Sequence, residues 1–464
     1  MLPFTLLAFL LAGLASFDNL ATAKRLAGEG HHFLVLQRNG QVFAAGFNDY
    51  GQLGRNTITD VLLPRPMLRV TNATDISTGS FHSCVLDQGN RIKCAGSNRY
   101  YQLGDGTKKQ RRMLVPTIGL GSKIAELNCG YYASCARMTN GGAQCWGHVA
   151  GSLKASPSKI AISGGIQSIS VGSEYVCFVA KVGGKLYCMS KYAGNATSQK
   201  APVPVVGLAA ENIVSVACGK EHACAVNAAG AMFCWGSFSS GRLGNPSVMA
   251  NSLEPVQVLG ITSGAASAWL GWDNSFAIMQ NSTVLAFGAD QYGVFGTGSK
   301  GNQAKPIVYG QGVSGVVEVR GGYLTTCVLL QNDQVKCTGN NLFGQLGVGN
   351  NDDSFTLVEM HLRTSAPTRR PTKVPTVTPT KRPTKAPTAK PTKKATLVPT
   401  KRPTKTQTAK PTKRPTSAPT KRPTKVPTET LTKRPTKAPT TKPTKVPTEA
   451  PTKRPTTAKP VAAS

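Results

Sequence analysis

Acidic side chains are scarce in this chain: 21 Asp and Glu stand against 54 Lys and Arg, a formal net charge of +33 over 464 residues. No convergent pair of carboxylates, as acid–base chemistry needs, is read among them. Histidine is scarcer still, limited to His31, His32, His82, His148, His222 and His361. Three of these, His32, His82 and His222, fall in one repeated slot, whereas a catalytic or metal site needs different groups to converge. No glycine-rich loop leads into Lys and Ser or Thr, so no phosphate cradle is read. The chain is therefore expected to be non-enzymatic and without cofactor. Helical periodicity is missing before residue 360, and beyond residue 15 no apolar run approaches the roughly 20 residues that a spanning helix needs.

The single apolar run, residues 2–15, ends in Gly13-Leu14-Ala15-Ser16 and fits a secretory h-region with a small-residue cleavage site, although no Lys or Arg precedes it. Residues 1–16 are read as a signal peptide cut near Ala15. A cut at Ala21-Thr22-Ala23 would remove residues that look like the first strand. An uncleaved membrane anchor is the competing reading, and the run is short for one. The last residues, Lys459 to Ser464, lack the hydrophobic tail of a lipid-anchor signal. The expectation is a mature monomer with no integral membrane segment, outside the cell or in its wall or matrix.

Glycine, by contrast, is abundant and periodic. A block Gly-x-x-His-x-Cys-x-Leu, a glycine turn and a Cys-Trp-Gly-like strand end recur. The clearest copies are Gly79-Ser80-Phe81-His82-Ser83-Cys84-Val85-Leu86 and Gly219-Lys220-Glu221-His222-Ala223-Cys224-Ala225-Val226. The Cys84 slot is filled in turn by Leu34, Cys84, Cys135, Cys177, Cys224, Phe276 and Cys327, which makes seven copies about 50 residues apart. A second element, Gly51-Gln52-Leu53-Gly54, returns at residues 101–104, 241–244, 293–296 and 344–347. It suits a tight turn with positive φ and a Leu or Phe plugging the gap between sheets. Copies three and four lack it. Alternating short segments around Gly, Asn or Asp are hairpins, and a sheet of four short strands cannot bury both faces alone. The fold class expected is all-β, a seven-bladed β-propeller, which leaves only short, protected edges.

These two motifs together resemble the regulator-of-chromosome-condensation repeat family, and the resemblance covers residues 17–361. It implies a seven-bladed propeller closed by joining strands from both ends of the repeat region, for which residues 17–26 and the strand near 355–360 are the candidates.

Ten of the twelve cysteines fall in pairs: Cys84 and Cys94, Cys135 and Cys145, Cys224 and Cys234, and Cys327 and Cys337 are ten apart, and Cys177 and Cys188 eleven. Partners across a hairpin lie within disulfide reach. The copies that lack the first cysteine lack the second too, with Leu34 facing Ala44 and Phe276 facing Ala286. Five intrablade disulfides are expected; zinc, which favours short Cys-x-x-Cys spacings, is the competing use, with no metal assigned. Such bridges belong to oxidising compartments. Cys129 and Cys218, each just before a copy's opening glycine, are read as free thiols in preference to a bond between them. Asn72, Asn195 and Asn281 head glycosylation sequons. Trp146 and Trp235 sit at equivalent strand ends and read as core. Trp269 and Trp272 break that pattern and are the candidates for a binding face.

Residues 362–464 run in a Pro-Thr-Lys-x rhythm with 27 Lys and Arg against Glu429 and Glu449, so +25 of the chain's +33 lies there. With little apolar to bury and Pro so frequent, a disordered, extended cationic tail is expected. It reads as an O-glycosylated stalk, a solvated spacer, or a binder of polyanions such as acidic polysaccharide, silica or nucleic acid. Three function classes follow. The first is a secreted binding scaffold whose propeller face takes a protein or glycan. The second, implied by the resemblance, is a Ran-like guanine-nucleotide exchange factor with a chromatin-binding tail, although residues 147–159 offer no acidic wedge. A propeller hydrolase or lyase is the third, and no convergent carboxylates support it.

Overall fold

In the computed structural model the described residues are 24–121, 123–173, 175–190 and 199–362. The signal-peptide, tail and Asn195 readings fall outside them. Seven four-stranded antiparallel sheets, each built from consecutive strands, form blades 1 to 7 over residues 26–66, 73–116, 124–160, 166–204, 213–257, 265–308 and 316–359. The innermost strand of every blade packs against its counterparts in the flanking blades, so the sheets surround a central channel.

Seven apolar clusters occupy the seven blade interfaces. Each takes residues from two neighbours, as where Leu53 of blade 1 packs with Val85 of blade 2, and Leu103 of blade 2 with Trp146 of blade 3. A four-stranded sheet thus buries each face against the next sheet, which is why the repeat must be iterated to be stable. Trp146 and Trp235 are fully buried.

The Gly-Gln-Leu-Gly turns lock blade to blade. A Cβ on Gly51 would stand 2.5 Å from the Arg112 Cα of blade 2, and one on Gly293 2.7 Å from the Phe355 ring of blade 7. Their φ angles are +75° and +68°, and Tyr101 holds the same place at +64°, a conformation that favours glycine. An anchor unmarked in the sequence reading holds each turn from inside: Asn48, Asn98 and Asn341 accept from the backbone N–H of Leu53, Leu103 and Leu346, and donate Nδ2 to loop carbonyls.

Blade 6 carries Asp290 in this slot, accepting from Phe295 N–H at 3.0 Å. Burial raises its carboxyl to about 6. Because the folded state holds this proton more tightly than the unfolded chain, the Asp290 contribution to stability should fall as pH rises from about 4 through 6, against the rise that the buried neutral His31, His32, His82 and His222 contribute over the same range. Asp290→Asn is expected to make stability rise more steeply between pH 4 and 6 and to add about 1 kcal/mol at pH 7, measured as urea midpoints of both proteins against pH. An unchanged slope would show that Asp290 is not the group responsible.

Among the described residues the ring does not close by joining strands from the two ends; residues 17–23 of the candidate segment lie outside them. Blade 1 takes all four strands from residues 26–66 and blade 7 all four from residues 316–359, and among the described residues no strand pairs across the seam. Leu26–Gly28, the first strand, is only three residues long and pairs with His32–Leu36. Closure rests instead on side chains. Leu26, Phe33 and Val35 pack with Leu329, Val335 and Met360. Glu318 accepts from Arg25 N–H at 2.8 Å, and Asp333 pairs with Arg25 at 2.5 Å and Arg38 at 2.6 Å.

The five pairs Cys84–Cys94, Cys135–Cys145, Cys177–Cys188, Cys224–Cys234 and Cys327–Cys337 are disulfide-bonded between the second and third strands of their blades, with Cα atoms 4.0 to 4.1 Å apart. Cys129 and Cys218 are free and buried. Blade 3 lacks the glycine-leucine turn because its third and outer strands, Ala143–Val149 and Ser152–Ile160, are joined by the two-residue turn Ala150-Gly151, both at positive φ.

Candidate binding face

Strand direction alternates within a blade, so the links from first to second strand and from third to fourth gather on one face of the ring. The second-to-third hairpins and the interblade links gather on the other. On the first face six blades open the inner link with glycine: Gly79, Gly130, Gly172, Gly219, Gly271 and Gly322. A Cβ on Gly79 would lie 2.1 Å from Gly130 O, one on Gly130 2.3 Å from Gly172 O, and one on Gly322 2.4 Å from Gly30 O. The links therefore touch backbone to backbone around the channel mouth, which requires glycine. Tyr131 N–H donates to Gly172 O, Lys220 N–H to Trp272 O and Tyr323 N–H to Gly30 O, at 3.1 to 3.3 Å. The two residues after each glycine are thereby held on the rim.

Those positions carry rings in five adjacent blades, 6, 7, 1, 2 and 3. Tyr131 of blade 3 lies 5.0 Å from Trp272 of blade 6 across the channel mouth, Trp272 4.0 Å from Tyr323, and Tyr323 5.0 Å from His31. Through Phe343 and Phe47 the path continues to Phe81, and from Tyr131 through Tyr132 to Tyr100. Most of these rings are half-buried and Tyr50 is 37 % exposed. Burial lowers His31 to about 4, so it presents a neutral ring at physiological pH. Burial also pushes the Tyr132 hydroxyl above its usual range, and the neighbouring Tyr131 adds to this. Blade 5 supplies charge instead, joined by Asp273 beside Trp272 in blade 6: Arg242 pairs with Asp273 at 3.0 Å, and the Lys220 ammonium lies 5.2 Å from the Trp272 ring centre. An aromatic arc from blades 6, 7, 1, 2 and 3 thus meets an ion-paired sector, the composition of surfaces that bind by ring contacts with a polar border.

Of the two tryptophans expected on a binding face, Trp272 is at its centre. Trp269 is elsewhere: it lines the channel beneath an Arg320 guanidinium 3.7 Å from its ring centre, and Arg320 is in turn paired with Glu318 at 2.8 Å. The channel cavity there is about 60 Å³, room for water and not for an organic ligand. A hollow of about 690 Å³ opens at the seam of blades 7 and 1, where Arg25, Arg38 and Asp333 already pair with one another. The repeated histidines rivet neighbouring blades: His32, His82 and His222 meet Ser83, Ser134 and Ser275 of the next blade at 2.8 to 2.9 Å. Burial lowers all three, His32 and His82 to about 3, so they stay neutral. Among the described residues, ligating atoms cluster at His82, Cys84 and Cys129, and Cys84 is committed to its disulfide. Asn72 and Asn281 lie in links of the opposite face, Asn281 exposed.

The rim aromatics Phe81, Tyr131, Tyr132 and Tyr323 were missed by the sequence reading. Their signal was the identity of the two residues between the opening glycine and the histidine slot, which was treated as unconstrained.

Comparison with known proteins gives one family. The model for the regulator of chromosome condensation repeat matches residues 39–86, and a second model of the same description matches 73–102, 213–242 and 316–345. The chain is similar to the ultraviolet-B receptor UVR8 of Arabidopsis thaliana, 26 % identical over 354 residues, covering 70 % of this chain and 79 % of that one. It is also similar to the secretion-regulating guanine nucleotide exchange factor of Bos taurus, 23 % identical, covering 61 % of this chain and 55 % of that protein's length. Yeast RCC1 (Prp20), solved bound to Kap60, superposes with a TM-score of 0.63 at 17 % identity, covering 73 % of this chain and 86 % of that one. At that identity the last likeness shows the fold.

Proposed function

We propose, from the premise that this chain is a regulator of chromosome condensation repeat propeller, that it is an exported, non-catalytic binding scaffold. It takes a protein or glycan partner on the aromatic arc, and its cationic tail serves as a stalk or as an anchor to polyanions in a wall or matrix. The observation that carries the reading is the continuous run of half-exposed rings from Tyr100 to Tyr323, on the face away from the Asn72 and Asn281 sequons. Glycans at those asparagines would leave the arc open. The disulfides in five blades support an oxidising compartment, and expression with the native leader, scored for protein in the medium, tests export.

The tail's share is tested on immobilised heparin. The full chain is expected to be retained at low salt and released steeply as salt rises, and the chain ended at residue 362 to pass through. Retention that is insensitive to salt, or that survives the truncation, would sink the polyanion anchor.

Exchange activity on a small GTPase is the second reading, favoured by the likeness to a secretion-regulating guanine nucleotide exchange factor. In its way stands the tight Ala150-Gly151 turn of blade 3, which leaves no projecting loop there. Release of labelled GDP from Ran separates the two: acceleration by catalytic amounts of the chain would displace the scaffold reading.

A further inference from the structure

Cys129 and Cys218 each end the innermost strand of a blade, Ile124–Cys129 and Ile213–Cys218. Their settings are copies of one another. Cys129 N–H donates to Ser77 Oγ of blade 2 at 2.9 Å, and Cys218 N–H to Ser170 Oγ of blade 4 at 2.9 Å. Within those sheets Ser77 faces Cys84 and Ser170 faces Cys177. Each free thiol is thus laid over the first half-cystine of the blade before it. The Sγ atoms of Cys129 and Cys84 lie within 4.8 Å, and a His82 ring nitrogen is as near. Cys218 packs in one cluster with Cys177 and Cys188, and the Cys177 backbone N–H bonds its sulfur. The corresponding places in the other inner strands hold Gly28, Thr78, Val171, Leu270 and Gly321. Thiols stand only where the preceding blade is bridged.

We propose that these are two thiol–disulfide exchange centres that convert an intrablade bridge into an interblade one. The Cys129 thiolate attacks Cys84 Sγ, a bond forms between them, and the Cys84–Cys94 bond breaks. Cys94 leaves as thiolate and takes up the proton that Cys129 gave away. Cys218, Cys177 and Cys188 react in the same order. One disulfide and one thiol enter and leave each centre, so no outside oxidant or reductant is consumed. The products tie blade 2 to blade 3 and blade 4 to blade 5, covalent links across interfaces otherwise held by packing and hydrogen bonds.

The surroundings keep the reaction off at neutral pH. Burial pushes Cys129 to about 11 and Cys218 to about 12, so almost none of either is thiolate. Lys24 and Asp75 act on Cys129 with opposite sign, and Glu29 adds to the rise at Cys218. His82, held neutral, stands beside the first centre as a proton acceptor, and blade 4 has Tyr175 in that slot. The first centre should therefore exchange faster.

The test uses the full oxidised chain at pH 7.0 and 9.5, below its unfolding temperature. Samples are acid-quenched, labelled with N-ethylmaleimide, digested without reduction and read by mass spectrometry. Peptides joined through Cys84 and Cys129, with label on Cys94, should form about 300-fold faster at pH 9.5, in proportion to thiolate, followed by Cys177 joined to Cys218 with label on Cys188. Label confined to Cys129 and Cys218 throughout would overturn the proposal, and so would pairs scrambled over all twelve cysteines, the mark of unfolding. Cys129→Ser should abolish only the first product. If that variant fails to fold, Cys94→Ser serves: oxidised glutathione should then close a Cys84–Cys129 bond, and two thiols persisting after treatment would overturn the proposal equally.

Discussion

Reduction of the five disulfides is expected to cost the propeller more stability than any single substitution, lowering its thermal midpoint by roughly 10–20 °C. Each bridge closes a hairpin of about ten residues, for which loss of chain entropy in the unfolded state predicts roughly 2–3 kcal/mol. Those losses act on one cooperative body, because each apolar cluster is shared by two blades and no blade can open without uncovering both neighbours. Blades 1 and 6 show what the slot needs when no bridge is present: Leu34 faces Ala44, Phe276 faces Ala286, and all four are buried. Apolar volume replaces the cystine there. A reduced blade has two thiols of smaller bulk and gains no such compensation. Circular dichroism melts with and without phosphine reductant measure the effect, and Cys327→Ser with Cys337→Ser should account for about 2–3 kcal/mol of it. A midpoint indifferent to reductant would remove the stability argument for an oxidising home.

Spacing alone made the blades legible. A slot returning seven times at about 50 residues fixes both the number of sheets and, through the ten-residue cysteine interval, the register of the central hairpin, in which Cys84 faces Cys94 and Cys224 faces Cys234. Closure was not legible, because it depends on partners from opposite ends of the repeat region, Arg25 with Glu318 and Leu26 with Met360, that no repeat period encodes. The binding face was half legible. Trp272 stood out as an irregular tryptophan, and so did Trp269, yet three residues along one chain carried the first to the rim and the second to the channel wall. Residues that repeat report packing. Those that vary between copies, in slots where the backbone is fixed by glycine, carry the face, and their convergence on one mouth appears only when the ring is assembled.

The pair Tyr131 and Trp272 should therefore matter out of proportion to its size. Both sit one residue beyond a collar glycine, both are half-exposed, and they meet at 5.0 Å over the channel mouth, where a ligand spanning the face must cross. Central aromatics of this kind dominate binding energy, so Tyr131→Ala with Trp272→Ala is expected to weaken the partner by about 100-fold or more. The full chain can be screened against a glycan array and a library of secreted proteins at 0.5 M salt, where the tail's charge is screened to a few ångströms and only the propeller contributes. The strongest ligand is then titrated by calorimetry. Trp269→Phe is the control, since it perturbs the Arg320 stack inside the channel and leaves the rim alone. The double variant should keep its melting temperature within a few degrees, because neither ring belongs to a blade-interface cluster. Equal affinity in the double variant and the parent would move the docking site off the aromatic arc and onto the charged sector of Arg242, Glu221 and Asp273, where salt rather than ring removal would control binding.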